Sequence, residues 1–297
     1  MLHEIRFRFR HLSNNSDTSG IVSENVFDMC NNFEKNLYIW VSFMLLCFIF
    51  GFPATVANLW EMFQTQRRGT PLTPNRFFML NLCVMDVVSL AYIPPGLLNY
   101  FIWRIWVLEA IWNGITTLSV CGRPLLMACV CLDCYLAVVH PVTYHNRKSL
   151  GPRVVMVGIV WILTVVYGIV AFFFYKLFLH MVSTVPFMAA IVITGVCDSF
   201  ILHTLVKSGP GKKNIHSQKQ RAIQTLINSL VMTVFSYLPP VFLLAIGKSL
   251  INDDKVLECT IGIPMTIIYS FGSAIMPILQ LNNNGKLDRF LKCCRKS

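Results

Sequence analysis

Apolar positions along this chain gather into seven blocks, at 37–62, 77–102, 105–132, 154–175, 181–206, 222–247 and 256–281. Each block has 22 residues or more, above the roughly 20 that a helix needs to cross the hydrocarbon of a bilayer. No alternation of period two persists through them, so the pattern predicts helices and not the strands of a β-barrel. The fold class expected is therefore all-α: a seven-transmembrane helix bundle over 37–281, with an N-terminal segment 1–36 and a tail 282–297.

Composition agrees with that reading. Of the 297 residues, 55% are hydrophobic and only 13% are charged, where a soluble domain carries about 25% charged residues. The chain has too few charges to clothe a water-facing surface. Before residue 37, Arg6, Arg8 and Arg10 are followed by polar Asn, Ser and Asp and not by an apolar run. No cleaved signal peptide is expected there, and the first helix would act as its own targeting signal.

The net charge of +11 is a topology signal. Sixteen Lys and Arg fall in 63–76, 133–153, 207–221 and 282–297, against eight in the alternate segments, three of those far from any helix. Basic residues are retained on the cytoplasmic side, which places the N-terminus outside and the tail in the cytoplasm of a multi-pass plasma-membrane protein. No soluble basic face exists to serve nucleic acid. Asn14, in Asn14-Asn15-Ser16, is an N-glycosylation acceptor on the side expected to be extracellular.

Four ionisable residues lie deep inside the blocks, far enough from their ends to need explaining: Asp86, Arg123, Asp198 and His203. An isolated charge in mid-bilayer is costly, and such groups face the bundle interior and pair.

The stretch Asp133-Cys134-Tyr135-Leu136-Ala137-Val138-Val139-His140-Pro141 resembles the end of the third helix of rhodopsin-like (class A) G-protein-coupled receptors, of purinergic and protease-activated type. Asn81-Leu82 with Asp86, Trp161, Pro239 in Ser236-Tyr237-Leu238-Pro239, and Pro277 in Met276-Pro277-Ile278-Leu279-Gln280 match other helix signatures in order. Asn58 takes the first-helix position, although one alignment puts Thr55 there, and Gly285–Leu291 resembles the family's short amphipathic eighth helix. The departures fall on the parts the family uses for switching. Cys134 stands where relatives have the G-protein-engaging arginine, Tyr237 replaces a Trp, Met276 an Asn and Gln280 a Tyr. The fifth-helix proline is missing, and Asp198 stands where a Tyr is usual.

What the resemblance implies is a receptor for an extracellular ligand, with atypical or weakened coupling. Its partners would be a heterotrimeric G protein, arrestin and the bilayer; the ligand stays open among a small molecule, a lipid and a nucleotide. By the same alignment Arg123 faces Asp86, where relatives hold a sodium ion. A bidentate Asp86–Arg123 salt bridge is expected to stand in for that ion. Asp133, which a neutral thiol at 134 cannot pair, is expected to turn to Arg147 or Tyr144, so Asp133, Cys134, Tyr135 and Arg147 form the expected G-protein-facing set. Pro239 and Pro277 are the expected switch prolines.

The resemblance also suggests a Cys30–Cys259 bridge, with both cysteines remaining free as the alternative. The family's commoner bridge has no partners, since Glu109 occupies the first position. Cys293 and Cys294 beside basic residues suit palmitoylation. Proline pairs at Pro94-Pro95 and Pro239-Pro240 should bend their helices and open a ligand pocket. Trp106, Glu109 and Tyr237 are its leading candidates, with Tyr100, Trp112, Phe235 and Ile263 behind them.

Other functions fit less well. A transporter would carry inverted repeats, and a retinal sensor needs a lysine within 256–281, which has none. No nucleophile–base pair or metal-ligand spacing is visible, so neither an enzyme nor a cofactor is expected. A non-signalling scaffold or decoy receptor is the remaining alternative.

Overall fold

A computed structural model describes residues 34–69, 73–140, 142, 144, 150–173, 184–207, 216–251 and 258–283. Among these there is no strand, and seven helices are long and apolar enough to cross a membrane. They are α1 (Leu37–Arg67), α2 (Pro74–Trp103), α3 (Val107–Val139), α4 (Gly151–Phe173), α5 (Val185–Val206), α6 (Ile223–Gly247) and α7 (Thr260–Gln280). The chain is a multi-pass membrane protein. The eighth-helix stretch 285–291 lies outside the described residues.

Local chemistry explains the ends. Beyond the predicted limit at 62, α1 continues to Arg67 and stops where Gly69 takes a left-handed conformation at φ 75°, as glycines after a helix do. Pro74 opens α2 at a position where its missing N–H costs nothing.

The helices are not uniformly wound. Five-residue turns of wider, i→i+5 geometry occur at Cys47–Gly51, Asn99–Trp103, Leu118–Gly122, Thr233–Tyr237 and Glu258–Gly262. All but the second end two residues before a proline: Pro53, Pro124, Pro239 and Pro264. A proline ring collides with the carbonyl four residues earlier. Widening that turn moves the carbonyl aside, so Arg123 N–H bonds Leu118 O and Leu238 N–H bonds Thr233 O. The sequence predicts a bend at Pro239-Pro240; the widened turns before Pro53, Pro124, Pro239 and Pro264 are a finding of the structure. Near Pro94-Pro95 the α-helical winding of α2 ends at Ala91 and resumes at Ile93.

Apolar side chains face both outward and inward. Ile162 and Val192, 65% and 59% exposed, point out of the bundle, where hydrocarbon would solvate them. Inside, Phe187, Tyr237, Tyr269 and Met265 fill the centre among α3, α5, α6 and α7. Trp40, Met44, Leu90 and Leu97 join α1 to α2, and Phe78, Leu82, Leu126 and Val160 join α2, α3 and α4.

Candidate functional site

Two carboxylates on successive helices each hold an arginine. Midway through the bundle, Arg123 Nη2 on α3 donates to Asp86 Oδ2 on α2 at 2.9 Å, with both residues buried. The widened turn at Leu118–Gly122 immediately precedes Arg123 and sets its direction. The contact is not the bidentate one expected. A single nitrogen meets a single oxygen, and Arg123 Nε and Nη1 have no hydrogen-bond partner among the described residues. Nη1 lies instead beside Gly272 on α7, where a Cβ would stand 3.1 Å from it. The guanidinium is turned partly away from the carboxylate.

Hydroxyls lie near the pair. Ser119 Oγ lies 3.2 Å from Ser273 Oγ and donates to Ser89 Oγ at 3.4 Å. Just outward, a cavity of about 30 Å³ between α1, α2, α3 and α7 is lined by these three serines with Thr266, Ser270, Tyr269 and Trp112. That is room for about two waters. Of the expected pocket residues whose side chains are described, only Trp112 lines it. Tyr237 is instead buried in the core beside Phe187, with ring centres 5.9 Å apart, and Phe235 points outward at 57% exposure. Glu109 does not line it, and Tyr100 packs edge-on against Trp40. An aromatic fills space well, so aromatics close this bundle, and small hydroxylated residues leave the gap. The side chains of Trp106 and Ile263 lie outside the described residues.

At the inner end of α3, Arg153 Nε donates to Asp133 Oδ1 at 2.7 Å and Tyr144 Oη donates to Asp133 Oδ2 at 3.3 Å. The Arg153 guanidinium also sits 4.9 Å above the Tyr144 ring, a cation–π distance. Burial, and then the negative charge of Asp133, push the Tyr144 hydroxyl above its usual pKa. Sequence reasoning missed Arg153, counting it as a loop charge, although its place at the very start of α4 was the available signal. Cys134 is a half-buried thiol near the inner end of α3. Tyr135 packs against His140 and against Phe200 of α5.

Polar ties hold the frame around these pairs. Asn58 Nδ2 donates to Pro277 O at 2.9 Å, joining α1 to α7, while Thr55 bonds its own helix at Gly51 O. Trp161 Nε1 donates to Asn81 Oδ1 at 3.0 Å across α4 and α2. Gln280 reaches Met79 and Cys83 of α2, and Asp198 accepts a short bond from Ser229 of α6. Asn14, Cys30, Arg147, Cys293 and Cys294 lie outside the described residues, as does the side chain of Cys259.

Residues 56–180 match the family described as 7 transmembrane receptor (rhodopsin family). The chain is similar to that family over this stretch and has seven helices of membrane-spanning length among its described residues. It is similar to Proteinase-activated receptor 3 of Rattus norvegicus, at 27% identity over 127 residues, 41% of this chain and 33% of the relative. The Homo sapiens form is 30% identical over 121 residues, 39% and 31% of the two chains. Chemerin-like receptor 2 of Homo sapiens is 28% identical over 157 residues, 50% of this chain and 42% of the relative. The matched stretch thus spans about a third to two fifths of these curated relatives.

Proposed function

We propose that this protein is a plasma-membrane receptor, its N-terminus outside, that passes an extracellular ligand signal to a heterotrimeric G protein through an altered inner face. The observation that carries the reading is the pairing of Asp133. Its charge is satisfied by Arg153 of α4 and by Tyr144, while the next residue of α3 is a neutral thiol. In this arrangement α3 presents no cation of its own at the inner end, and the second inner loop is tethered to the bundle. Coupling is therefore weaker or differently selective than in relatives that carry arginine there. Arrestin is the second partner, and the ligand is a small molecule, lipid or nucleotide. Both named relatives are receptors, which supports this class over a non-signalling scaffold.

The test is a panel of G-protein activation and arrestin recruitment assays in cells, run on the natural chain and on Cys134→Arg. Basal or ligand-driven activation rising in C134R, above a weak signal from the natural chain, is the expected result. Silence of both forms across the panel would favour the scaffold reading. Epitope tags at the two termini, probed on intact and permeabilised cells, test the orientation.

A further inference from the structure

The family resemblance implies a sodium ion at the second-helix aspartate, and the residues here do not fit one. The Asp86 oxygen that would face the cation already receives Arg123 Nη2 at 2.9 Å, and both side chains are at least nine-tenths buried. A second, like charge at the same oxygen would be repelled in a medium of low dielectric constant. Nor can the arginine step aside by losing its proton.

Two further observations show that the guanidinium is built in. Gly272 of α7 leaves a notch for it: a Cβ there would stand 3.1 Å from Arg123 Nη1 and 2.9 Å from Ser236 Oγ. Beside the Asp86 carboxylate, the polar atoms of the Ser119–Ser273 pair, 3.2 Å apart, are both hydroxyl oxygens. Carboxylate and hydroxyl oxygens are the donor set that hard cations prefer. The pocket thus carries cation-type ligands with a side-chain cation already among them.

We propose that Arg123 is a resident counter-ion, seated by Gly272, which makes the core of this protein indifferent to sodium. On this view Asp86, Ser119 and Ser273 form a latent monovalent-cation site that appears when the guanidinium is removed. The arginine on α3 and the glycine on α7 then serve one purpose.

The experiment is thermal unfolding of the full chain in detergent, in sodium chloride and in choline chloride of equal ionic strength. It uses neither ligand nor G protein, so its outcome is independent of the receptor reading. The natural chain should melt within about 1 °C in the two salts. Arg123→Ser should melt about 3 °C or more higher in sodium, because a ligand that binds only the folded state stabilises it. Gly272→Ala should lower the melting temperature in both salts. Gly195→Ala, at a site with nothing within 4 Å, should leave it unchanged or raise it, as removing a mid-helix glycine ordinarily does. Sodium-specific stabilisation of the natural chain would overturn the proposal, and this arm needs no variant to fold. A folded R123S equally stable in both salts would overturn the latent site, and a neutral G272A would overturn the seating.

Discussion

The two arginine–aspartate pairs of this protein use the same chemistry at different depths, and they differ in how completely each arginine is satisfied. At the inner edge, Arg153 has a short bond to Asp133 and an aromatic ring beneath it, and Tyr144 supports the far oxygen. In mid-bundle, Arg123 spends one nitrogen on Asp86 and leaves two without partners among the described residues. The comparison separates two uses of a buried charge. The edge pair fastens a loop to a helix with its hydrogen-bonding capacity well used. The central pair neutralises a carboxylate while holding donors in reserve against α6 and α7.

Breaking the pairs one at a time should rank them. The largest effect is expected for Asp86→Asn, which strands a cation that cannot neutralise itself and should cost about 3–5 kcal/mol. Arg123→Gln should cost less, since a carboxyl group can take up a proton where a guanidinium cannot give one up. Melting curves of the two variants side by side check this order, and R123Q proving the more damaging would reverse the assignment. Arg153→Ala should follow at about 1.5–3 kcal/mol, the usual worth of hydrogen bonds to charged groups. Its second signature is faster proteolysis of the inner loop before α4. Asn58→Ala, which removes a neutral bond to Pro277 O, should cost about 1 kcal/mol by the same melting assay. The smallest effect belongs to Tyr144. Its folded-state pKa is raised, so its share of stability is present below about pH 10 and is lost as pH rises further through the folded value. The difference in alkaline melting between the natural chain and Tyr144→Phe should therefore shrink above that pH, and a gap that widened would contradict the assigned direction.

Much of the frame was legible because a bilayer imposes length and polarity on every span. The seven blocks, the mid-membrane placement of Asp86 and Arg123, and the Tyr144 alternative for Asp133 all follow from where a charge can afford to lie. Arg153 was not legible as a partner: a basic residue at the start of a span reads equally as topology or as structure, and only the packing of α3 on α4 decides. Tyr237 and Phe235 fall away from the small cavity for a related reason. Aromatic character says that a side chain is bulky and apolar, and rotation about the helix axis then sends one ring to the core and the other to the hydrocarbon. Pro53, Pro124 and Pro264 carried a stronger signal than was drawn from them, since each marks a wide turn as Pro239 does.

The wide turn at Leu118–Gly122 inserts one residue beyond regular winding, and one residue corresponds to about 100° of rotation around a helix. The third helix is therefore two rods in different phase, joined at a crank whose lower throw carries Arg123. Tightening the crank back to regular pitch would swing the whole lower rod about its own axis, carrying Arg123 off its carboxylate and turning Asp133 away from Arg153 in a single motion. One local change of winding thus addresses both pairs together, although ten residues of chain separate their members on this helix.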